Sequence, residues 1–295
     1  MKRRSSTNRR PTERMLVVVK GAGDLATGAA LSFRAAGFRV VMTELPQPTA
    51  IRLTVSFADA VYRGSQTVEG IHAELADGAS WPSVVESGHV AVIVDPRAEI
   101  LQHADADVIL DGIMAKANKG TARAEGAVVI ALGPGFVAGR DVDAVIETMR
   151  GHELGRIIRD GSAHPDTGTP GDIGGRSADR VLRAPREGRV ILLKRIGDMV
   201  VRDEVLLRVE DVPVTASFDG CLRGLVNEKV LVSRGMKIGD VDPRGDARFI
   251  HLVSDKAHAV GRAALEAALW IGRERGLFEV STVRARGSRA RGGLT

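Results

Sequence analysis

Between residues 15 and 150, short apolar runs alternate with stretches of helical or loop character. Residues 15–20 (MLVVVK) are almost entirely apolar, as is typical of a strand buried on both faces of a parallel sheet. Residues 29–38 (AALSFRAAGF) have the apolar spacing of a helix, and a glycine near their end predicts where that helix stops. We expect residues 142–150 (VDAVIETMR) to form a further helix. Apolar runs predict additional strands over residues 39–44, 89–96, 106–112 and 127–135.

These alternating elements predict an α/β fold with a Rossmann-like, doubly wound parallel sheet over residues 15–150. Residues 151–180 differ from them, because they are rich in glycine, proline, aspartate and threonine. That composition is typical of loops, and a loop of this length within a folded chain is usually functional or disordered. We therefore interpret residues 151–180 as a functional loop or a linker.

Short apolar stretches over residues 181–253 repeat with an offset of 32 positions. The matched pairs include Gly188 with Gly220, Val200 with Val232, and Val209 with Val241. This repeat predicts a duplicated all-β domain, which resembles the barrel-sandwich domains of lipoyl and biotinyl carrier proteins. Those carriers present a modified lysine between the two halves, whereas no lysine occurs here between Lys194 and Lys229. We therefore favour a structural or docking role for this domain.

The last predicted element is an amphipathic helix within residues 254–283, capped by Ser254 or Asp255. We expect its apolar face to pack back onto a domain or onto a partner subunit. The sequence leaves open whether the chain forms a homo-oligomer.

The net charge of +5 on the 295-residue chain comes from its two ends. Residues 1–14 carry a net charge of +5 and residues 284–295 carry +4, which leaves −4 on residues 15–283. We expect both ends to be disordered basic tails. We expect no nucleic-acid binding, because the predicted folded part has no basic surplus and aromatic residues make up only 3% of the chain.

Cysteine content and hydropathy exclude several further classes of protein. Cys221 is the single cysteine, so an internal disulfide and a CxxC redox pair are excluded. Its place in the duplicated domain predicts a buried, structural thiol. The first residues lack the apolar stretch of a secretion signal, and no apolar run is long enough to span a membrane. We expect a cytoplasmic protein.

A glycine turn after the first predicted strand fits the pattern G-x-G-x-x-A. In that pattern the first glycine makes the tight turn, the second lets a pyrophosphate approach the backbone, and the alanine allows close packing of helix on strand. Glu44 ends the second predicted strand, 21 positions after Gly23, where an acidic side chain binds ribose hydroxyls. The alternative is that the glycines serve packing alone. The predicted cofactor-binding residues here are Gly21, Ala22, Gly23, Asp24, Leu25, Ala26 and Glu44.

Asp24 is unusual at the mouth of a phosphate-binding loop, because its carboxylate repels phosphate. It could cap the following helix, bind Mg²⁺ together with a phosphate, or act as a base. Because ligands of such sheets bind beyond the carboxyl ends of the strands, we predict an opposite wall at the ends of later strands. That wall comprises Lys116, Gly133 and Gly135.

Within the loop of residues 151–180, His164, Asp166 and Asp172 are predicted to close over the ligand. A metal site formed by these three residues with His152 has only weak support, because their spacing follows no established metal-binding pattern. The metal ligands and any catalytic residues therefore stay unassigned.

Several long motifs closely resemble those of the YqeB family. They are GAGDLATG at residues 21–28, AKANKGT at 115–121, ALGPGFVAGRDVDAVIET at 131–148, GSAHPDTGTPGDIGG at 161–175 and RGMKIGDVDPRGD at 234–246. The resemblance implies an accessory protein of the selenium-dependent molybdenum hydroxylase system, similar in its first half to XdhC-type chaperones. It implies that the chain binds molybdenum cofactor, or a pterin dinucleotide, and hands it to a molybdenum hydroxylase client enzyme. A sulfur or selenium donor protein would then be a further partner, because Cys221 is expected to be buried.

Two other functions remain open. The first is an NAD-dependent oxidoreductase of unknown substrate, although the single tyrosine, Tyr62, is not an obvious proton donor for such a reaction. The second is a non-catalytic scaffold whose barrel and basic tails bind a partner.

Overall fold

The structure is a computed structural model that describes residues 15–278. The predicted basic tails, residues 1–14 and 284–295, lie outside the described residues. Among residues 15–278, no helix combines the length and the apolar character needed to cross a membrane.

A large mixed sheet forms the first part of the described chain. Its strand order is β3-β4-β5-β2-β1-β6-β7-β8-β9. The strands from β4 to β8 in this order run parallel, while β3 and β9 at the two edges are antiparallel to their neighbours. The bounds are β1 Leu16–Lys20, β2 Arg39–Glu44, β3 Ser65–Val68, β4 Ile71–Ala76, β5 Val90–Val94, β6 Val108–Asp111, β7 Val128–Leu132, β8 Ala144–Ile146 and β9 Ile157–Ile158.

The α-helices in the described chain are α1 Asp24–Ala35, α2 Ala60–Arg63, α3 Trp81–Glu86 and α4 Asp255–Glu274. Helix α4 comes last in the described chain and returns to the large sheet, where it packs along α1. The Ser254 hydroxyl caps it by accepting a hydrogen bond of 3.1 Å from the backbone N–H of Ala257. Of the two predicted caps, Ser254 is therefore the one that forms.

Five strands of the large sheet, β1, β2, β5, β6 and β7, lie within the predicted apolar runs. The helix predicted over residues 142–150 is wrong, because this segment contains β8. Ala144, Val145 and Ile146 are all fully buried, and β8 pairs with β7 on one side and β9 on the other. An apolar run buried on both faces suits an inner strand better than an amphipathic helix.

Two four-stranded antiparallel sheets follow, in the orders β10-β17-β15-β12 and β14-β13-β11-β16. The bounds are β10 Val181–Arg183, β11 Gly188–Leu192, β12 Met199–Val200, β13 Val205–Val209, β14 Val212–Thr215, β15 Gly220–Leu225, β16 Leu231–Val232 and β17 Lys237–Asp242. The predicted 32-residue repeat is present, since β11, β12 and β13 begin 32 positions before β15, β16 and β17. Strands β10 to β13 form the first half of the repeat and β14 to β17 the second. Each sheet contains two strands from each half, so the two halves interlock and neither could form these sheets alone.

Apolar clusters lie on both faces of the large sheet and between the two smaller sheets. Ile51, from the segment after β2, joins the cluster between the smaller sheets. Its carbonyl oxygen also accepts a hydrogen bond of 2.8 Å from the backbone N–H of Leu225 in β15. This segment therefore fixes the smaller sheets against the carboxyl edge of the large one.

Candidate functional site

A cavity of about 720 Å³ lies between the carboxyl edge of the large sheet and the sheet that contains β15 and β17. The glycine turn and the start of α1 form one side. The other side comes from β15, β17 and the residues just before β10, and the start of α4 completes the wall. Its volume is typical of a site for a small molecule or a cofactor.

The glycine turn is shaped for close approach of a ligand. Gly21 has a φ of +88°, and a Cβ there would lie 3.2 Å from the carbonyl oxygen of Gly112. Gly23 is different, because a Cβ built on it meets no atom within 4 Å. Gly21 therefore makes the turn, whereas Gly23 keeps the backbone open towards the cavity.

Of the other predicted turn residues, Leu25 lines the cavity, while Ala22 and Ala26 are fully buried behind it. A Cβ added at Gly112 would lie 2.9 Å from the Cβ of Ala26, so the helix packs closely on the loop after β6. Ala26 therefore has the packing role that the G-x-G-x-x-A pattern predicts for its alanine.

The start of α1 carries no side-chain cap. Its N-cap residue is Gly23, and no side chain accepts a hydrogen bond from the first turn. The interpretation of Asp24 as a helix cap is therefore wrong. Asp24 is the first helical residue, its side chain lines the cavity, and within residues 15–278 its carboxylate has no hydrogen-bond or ion-pair partner. The first turn of α1 presents unpaired N–H groups beside it.

Glu44 also lines the cavity, and its carboxylate holds the glycine turn. One oxygen accepts a hydrogen bond of 3.0 Å from the Ala22 N–H, and the other accepts one of 2.6 Å from the Leu45 N–H. Burial raises the pKa of Glu44, although these two hydrogen bonds act in the opposite direction. The ribose contact stays a prediction.

Two lysines reach the cavity from outside the large sheet: Lys237 from β17 and Lys256 from α4. In the described part of the chain, neither ammonium group has an ion-pair or hydrogen-bond partner. Enclosure by protein atoms lowers the pKa of both lysines, and the negative charge of Asp24 partly opposes that shift in each. Asp240 opposes the shift of Lys237 as well, so Asp24 acts on both ammonium groups through its charge, without direct contact.

Buried arginines support the wall beside these lysines. Arg180 and Arg223 both bind the carboxylate of Asp240, and Arg223 Nη1 also lies 3.2 Å from Asp242. Arg52 donates hydrogen bonds of 2.9 and 3.1 Å to the carbonyl oxygens of Phe249 and Leu252, and its buried Nε has no partner. The two hydrogen bonds from Arg52 fix the segment that leads into α4.

The lining as a whole carries a surplus of positive charge. Seven basic side chains face four acidic ones, which gives a formal charge of +3. The basic residues are Arg52, Lys119, Arg150, Arg180, Arg223, Lys237 and Lys256, and the acidic residues are Asp24, Glu44, Asp95 and Asp240. A cavity of this charge favours an anionic ligand.

Lys116, Gly133 and Gly135, predicted to form the opposite wall of the site, do not line the cavity. Lys116 pairs with Asp166 at 2.7 Å on the surface. Gly133 and Gly135 pack against Thr148 and Ala117. The neighbouring Lys119 lines the cavity in their place, together with the side chains of the smaller sheet.

The three predicted lid residues also lie outside the lining. His164 bonds the Glu153 carboxylate, which raises the pKa of the histidine. Asp172 accepts a hydrogen bond of 3.1 Å from the Gly175 N–H. The same loop reaches the cavity through Pro170, Gly171 and Ile173. The structure does not gather His152, His164, Asp166 and Asp172 into a metal site.

Sequence reasoning missed Arg223 and Lys237, although the repeat contains a signal for both. At an offset of 32, Arg223 corresponds to Ile191 and Lys237 to Val205. The second half therefore carries a cation at two positions where the first half carries a branched apolar residue.

Cys221 is fully buried in β15, as predicted. Burial raises the pKa of its thiol, and the negative charges of Asp242 and Asp246 act in the same direction. Its Sγ lies 3.8 Å from the carbonyl oxygen of Gly197. The thiol is therefore protonated and enclosed, which is unfavourable for a nucleophile.

Comparison with known proteins shows clear similarity to a curated relative. The chain is 45% identical over 262 residues to the uncharacterized protein YqeB of Escherichia coli (strain K12). This similarity supports the assignment of the chain to the YqeB family. The alignment covers 88% of this chain and 48% of that protein, so the chain spans about half the length of its curated relative. No model of a known protein family matches the chain.

Two solved structures show weak similarity. The ectoine utilization protein EutE (DoeB) from Ruegeria pomeroyi is 12% identical with a TM-score of 0.20, covering 77% of this chain and 52% of that one. The succinylglutamatedesuccinylase/aspartoacylase from Rhodobacter sphaeroides is 16% identical with a TM-score of 0.24, covering 77% and 85%.

Proposed function

We propose that the chain is an accessory protein for a molybdenum hydroxylase. It binds molybdenum cofactor, or the pterin dinucleotide form of it, in the cavity described above and hands this cargo to the enzyme. The observation that carries the proposal is the glycine turn facing two unpaired lysines, Lys237 and Lys256, across one cavity.

The chemistry of that arrangement suits a phosphate-bearing ligand. The open backbone at Gly23 and the uncapped start of α1 offer N–H groups and the positive end of a helix dipole to phosphate. The two ammonium groups supply the opposing positive charge, because no carboxylate of the described chain neutralises them by direct contact. Asp24 lines the same cavity, and its carboxylate would help to hold a cation that accompanies the phosphate.

The finer fold assignment belongs to the same proposal. The parallel strand order around β1, with the glycine turn between β1 and α1, supports a Rossmann-like sheet. The interlocked halves of residues 181–253 support a barrel-sandwich domain. In this proposal the smaller domain acts as one wall of the site and has no lysine-borne prosthetic group.

The partners are proposed on the same basis. A molybdenum hydroxylase receives the cargo, in the cytoplasm. Any sulfur or selenium added to the cofactor comes from a donor protein, because the only thiol of the chain is fully buried and protonated.

The alternative of an NAD-dependent oxidoreductase finds little support in the one tyrosine. The Tyr62 hydroxyl donates a hydrogen bond of 2.7 Å to the carbonyl oxygen of Pro48. Burial, together with the charges of Glu44 and Asp59, raises its pKa to about 12. A proton donor this weak is poorly matched to a reaction near neutral pH.

The experiment that tests the proposal is mass spectrometry and fluorescence of the ligand released by denaturing protein purified from its native host. A pterin dinucleotide carrying molybdenum would support a cofactor chaperone. Released NAD, or an empty protein that binds NAD tightly in titration, would instead favour the oxidoreductase and contradict the proposal.

A further inference from the structure

A second cluster of chemically active side chains lies away from the cavity, where β4 meets the start of β5. It consists of His72 and Glu74 on β4 and His89, the residue before β5. One donor atom from each residue lies within 4.8 Å of the other two. Within the part of the chain that the structure describes, no other group of three histidine, cysteine or acidic residues comes this close.

The backbone places these three side chains together. His72 and Glu74 are two positions apart on one strand, so they project from the same face, and the buried Ala73 between them faces the core. Glu74 pairs with Ala91 in the parallel register of β4 and β5, which brings the residue just before β5 alongside. The imidazole rings of His72 and His89 meet edge to face, 4.8 Å apart.

A hydrogen bond behind the cluster sets the orientation of one ring. Thr67 on β3 is the cross-strand partner of His72, and its Oγ1 lies 2.9 Å from His72 Nδ1. We assign the proton to Nδ1, which then donates to the hydroxyl and leaves the lone pair on Nε2. That nitrogen lies 3.7 Å from Glu74 Oε1. Histidines that bind metals are commonly held in this way by a hydrogen bond to the other ring nitrogen.

We propose that His72, Glu74 and His89 form a site for a divalent transition metal, with Zn²⁺ as the best match. Two imidazoles and one carboxylate form a set that zinc accepts, with a fourth position left for water. Donor atoms around a tetrahedral zinc lie roughly 3.3 Å apart, so the observed spacing needs only small side-chain rotations. The three side chains are 36%, 38% and 39% exposed, which gives an ion access and leaves room for that movement.

This site is independent of the proposed cofactor cavity. It lies at the amino end of β5, whereas Asp95, which lines the cavity, follows the carboxyl end of the same strand. A metal bound here would join β4 to the start of β5 and stabilise that side of the sheet, whatever ligand the cavity takes.

The test is calorimetric titration of the metal-stripped full chain with Zn²⁺. We expect one tight equivalent, with at least a 10-fold loss of affinity in His72→Gln and in His89→Gln. Thr67→Val should weaken binding by roughly 10- to 100-fold without changing the stoichiometry, because it removes only the orienting hydroxyl. His103→Gln is the matched control, since it removes an exposed histidine outside the cluster, and it should leave the affinity unchanged.

Co²⁺ gives a second readout that does not depend on the variants. Bound in place of zinc, it should give the visible absorption bands of a tetrahedral site in the wild-type chain. Zinc affinity that is unchanged in the double variant His72→Gln/His89→Gln, verified as folded by circular dichroism, would overturn the proposal. So would a wild-type chain that binds no Zn²⁺.

Discussion

Gly28 of α1 and Gly261 of α4 lie in direct backbone contact. A Cβ added to Gly261 would lie 2.3 Å from the Gly28 carbonyl oxygen, and one added to Gly28 would lie 2.5 Å from the Ala257 carbonyl oxygen. This contact brings the end of the described chain back to its beginning. As a result, the first residues of α4 meet the start of α1, and Lys256 reaches the cavity beside the glycine turn.

Substitution of either glycine by alanine should destabilise the protein. An alanine inside an isolated helix is more favourable than a glycine by about 1 kcal/mol, so helix propensity alone predicts the opposite sign. Here the added methyl group would push the two helices apart, at a cost of roughly 1–3 kcal/mol in the free energy of unfolding. Urea denaturation of Gly28→Ala and Gly261→Ala measures this effect. Gly78→Ala, where a Cβ meets nothing within 4 Å, should stay within about 0.5 kcal/mol of the wild type.

Gly23→Arg should abolish binding of a phosphate-bearing ligand with little loss of stability. The position has an ordinary φ of −65° and open space around its missing Cβ, so the backbone tolerates a side chain there. The long arginine side chain would instead occupy the space in which a phosphate approaches the turn. Ligand titration and thermal unfolding test the two halves of this prediction. Gly78→Arg, at another open position, is the control for the added charge, and an unchanged dissociation constant in Gly23→Arg would exclude the turn as the phosphate site.

The end of α4 is fixed by an ion pair whose contribution should depend on pH. Arg275 binds both oxygens of Asp143, at 2.6 and 2.8 Å. Burial raises the pKa of Asp143, but the hydrogen bonds from Arg275 and from the Val129 N–H outweigh it, and the net shift is downwards. The stability that this carboxylate contributes is therefore present above its unfolded pKa and is lost as the pH falls through its folded pKa.

Arg275→Met should thus destabilise the protein at pH 7 by roughly 1–3 kcal/mol. The variant should also lose less stability than the wild type between about pH 5 and pH 2. Without Arg275, the folded state stabilises the ionised form of Asp143 less strongly, so less stability is lost when that carboxylate is protonated. Denaturant unfolding at pH 7 and across this acidic range measures both effects. Arg273→Met, which removes an exposed arginine from the last turn of α4, should change neither the stability at pH 7 nor its loss in acid. Equal acid sensitivity of Arg275→Met and the wild type would contradict the account.

Cys221 should resist thiol reagents in the native protein. The thiol is fully buried and its pKa is raised, so little thiolate is present and the reagent has no access. We expect stoichiometric labelling by a maleimide or a disulfide reagent only after denaturation. Complete labelling of the native chain within minutes would reopen a role for this residue as a sulfur or selenium carrier.

The sequence predicted what local pattern determines. Apolar runs located β1, β2 and β5, and glycine spacing found the duplicated domain. Local pattern could not distinguish the buried strand β8 from a helix, because its few apolar residues fit both periodicities. The hairpin of β3 and β4 was missed, since half of its side chains are polar and most of them are partly exposed.

The candidate site divides in the same way. Gly21, Gly23 and Glu44 belong to one local motif, and the structure places all three on the cavity. Lys237 and Lys256 lie more than 190 positions further along the chain, and only the packing of distant elements brings them there. No local periodicity indicates such a juxtaposition.

The measurement that tests the central claim most directly is calorimetric titration with GDP and with inorganic pyrophosphate. Wild type is compared with Lys237→Met, Lys256→Met and the double variant. Each lysine should contribute about 10- to 100-fold in affinity, since a hydrogen bond to a charged group contributes about 1.5–3 kcal/mol. Lys194→Met is the matched control, because that lysine pairs with Glu204 outside the cavity lining. The account predicts a progressive loss of affinity across the single and double variants with Lys194→Met unchanged. Equal dissociation constants in wild type and the double variant would contradict it.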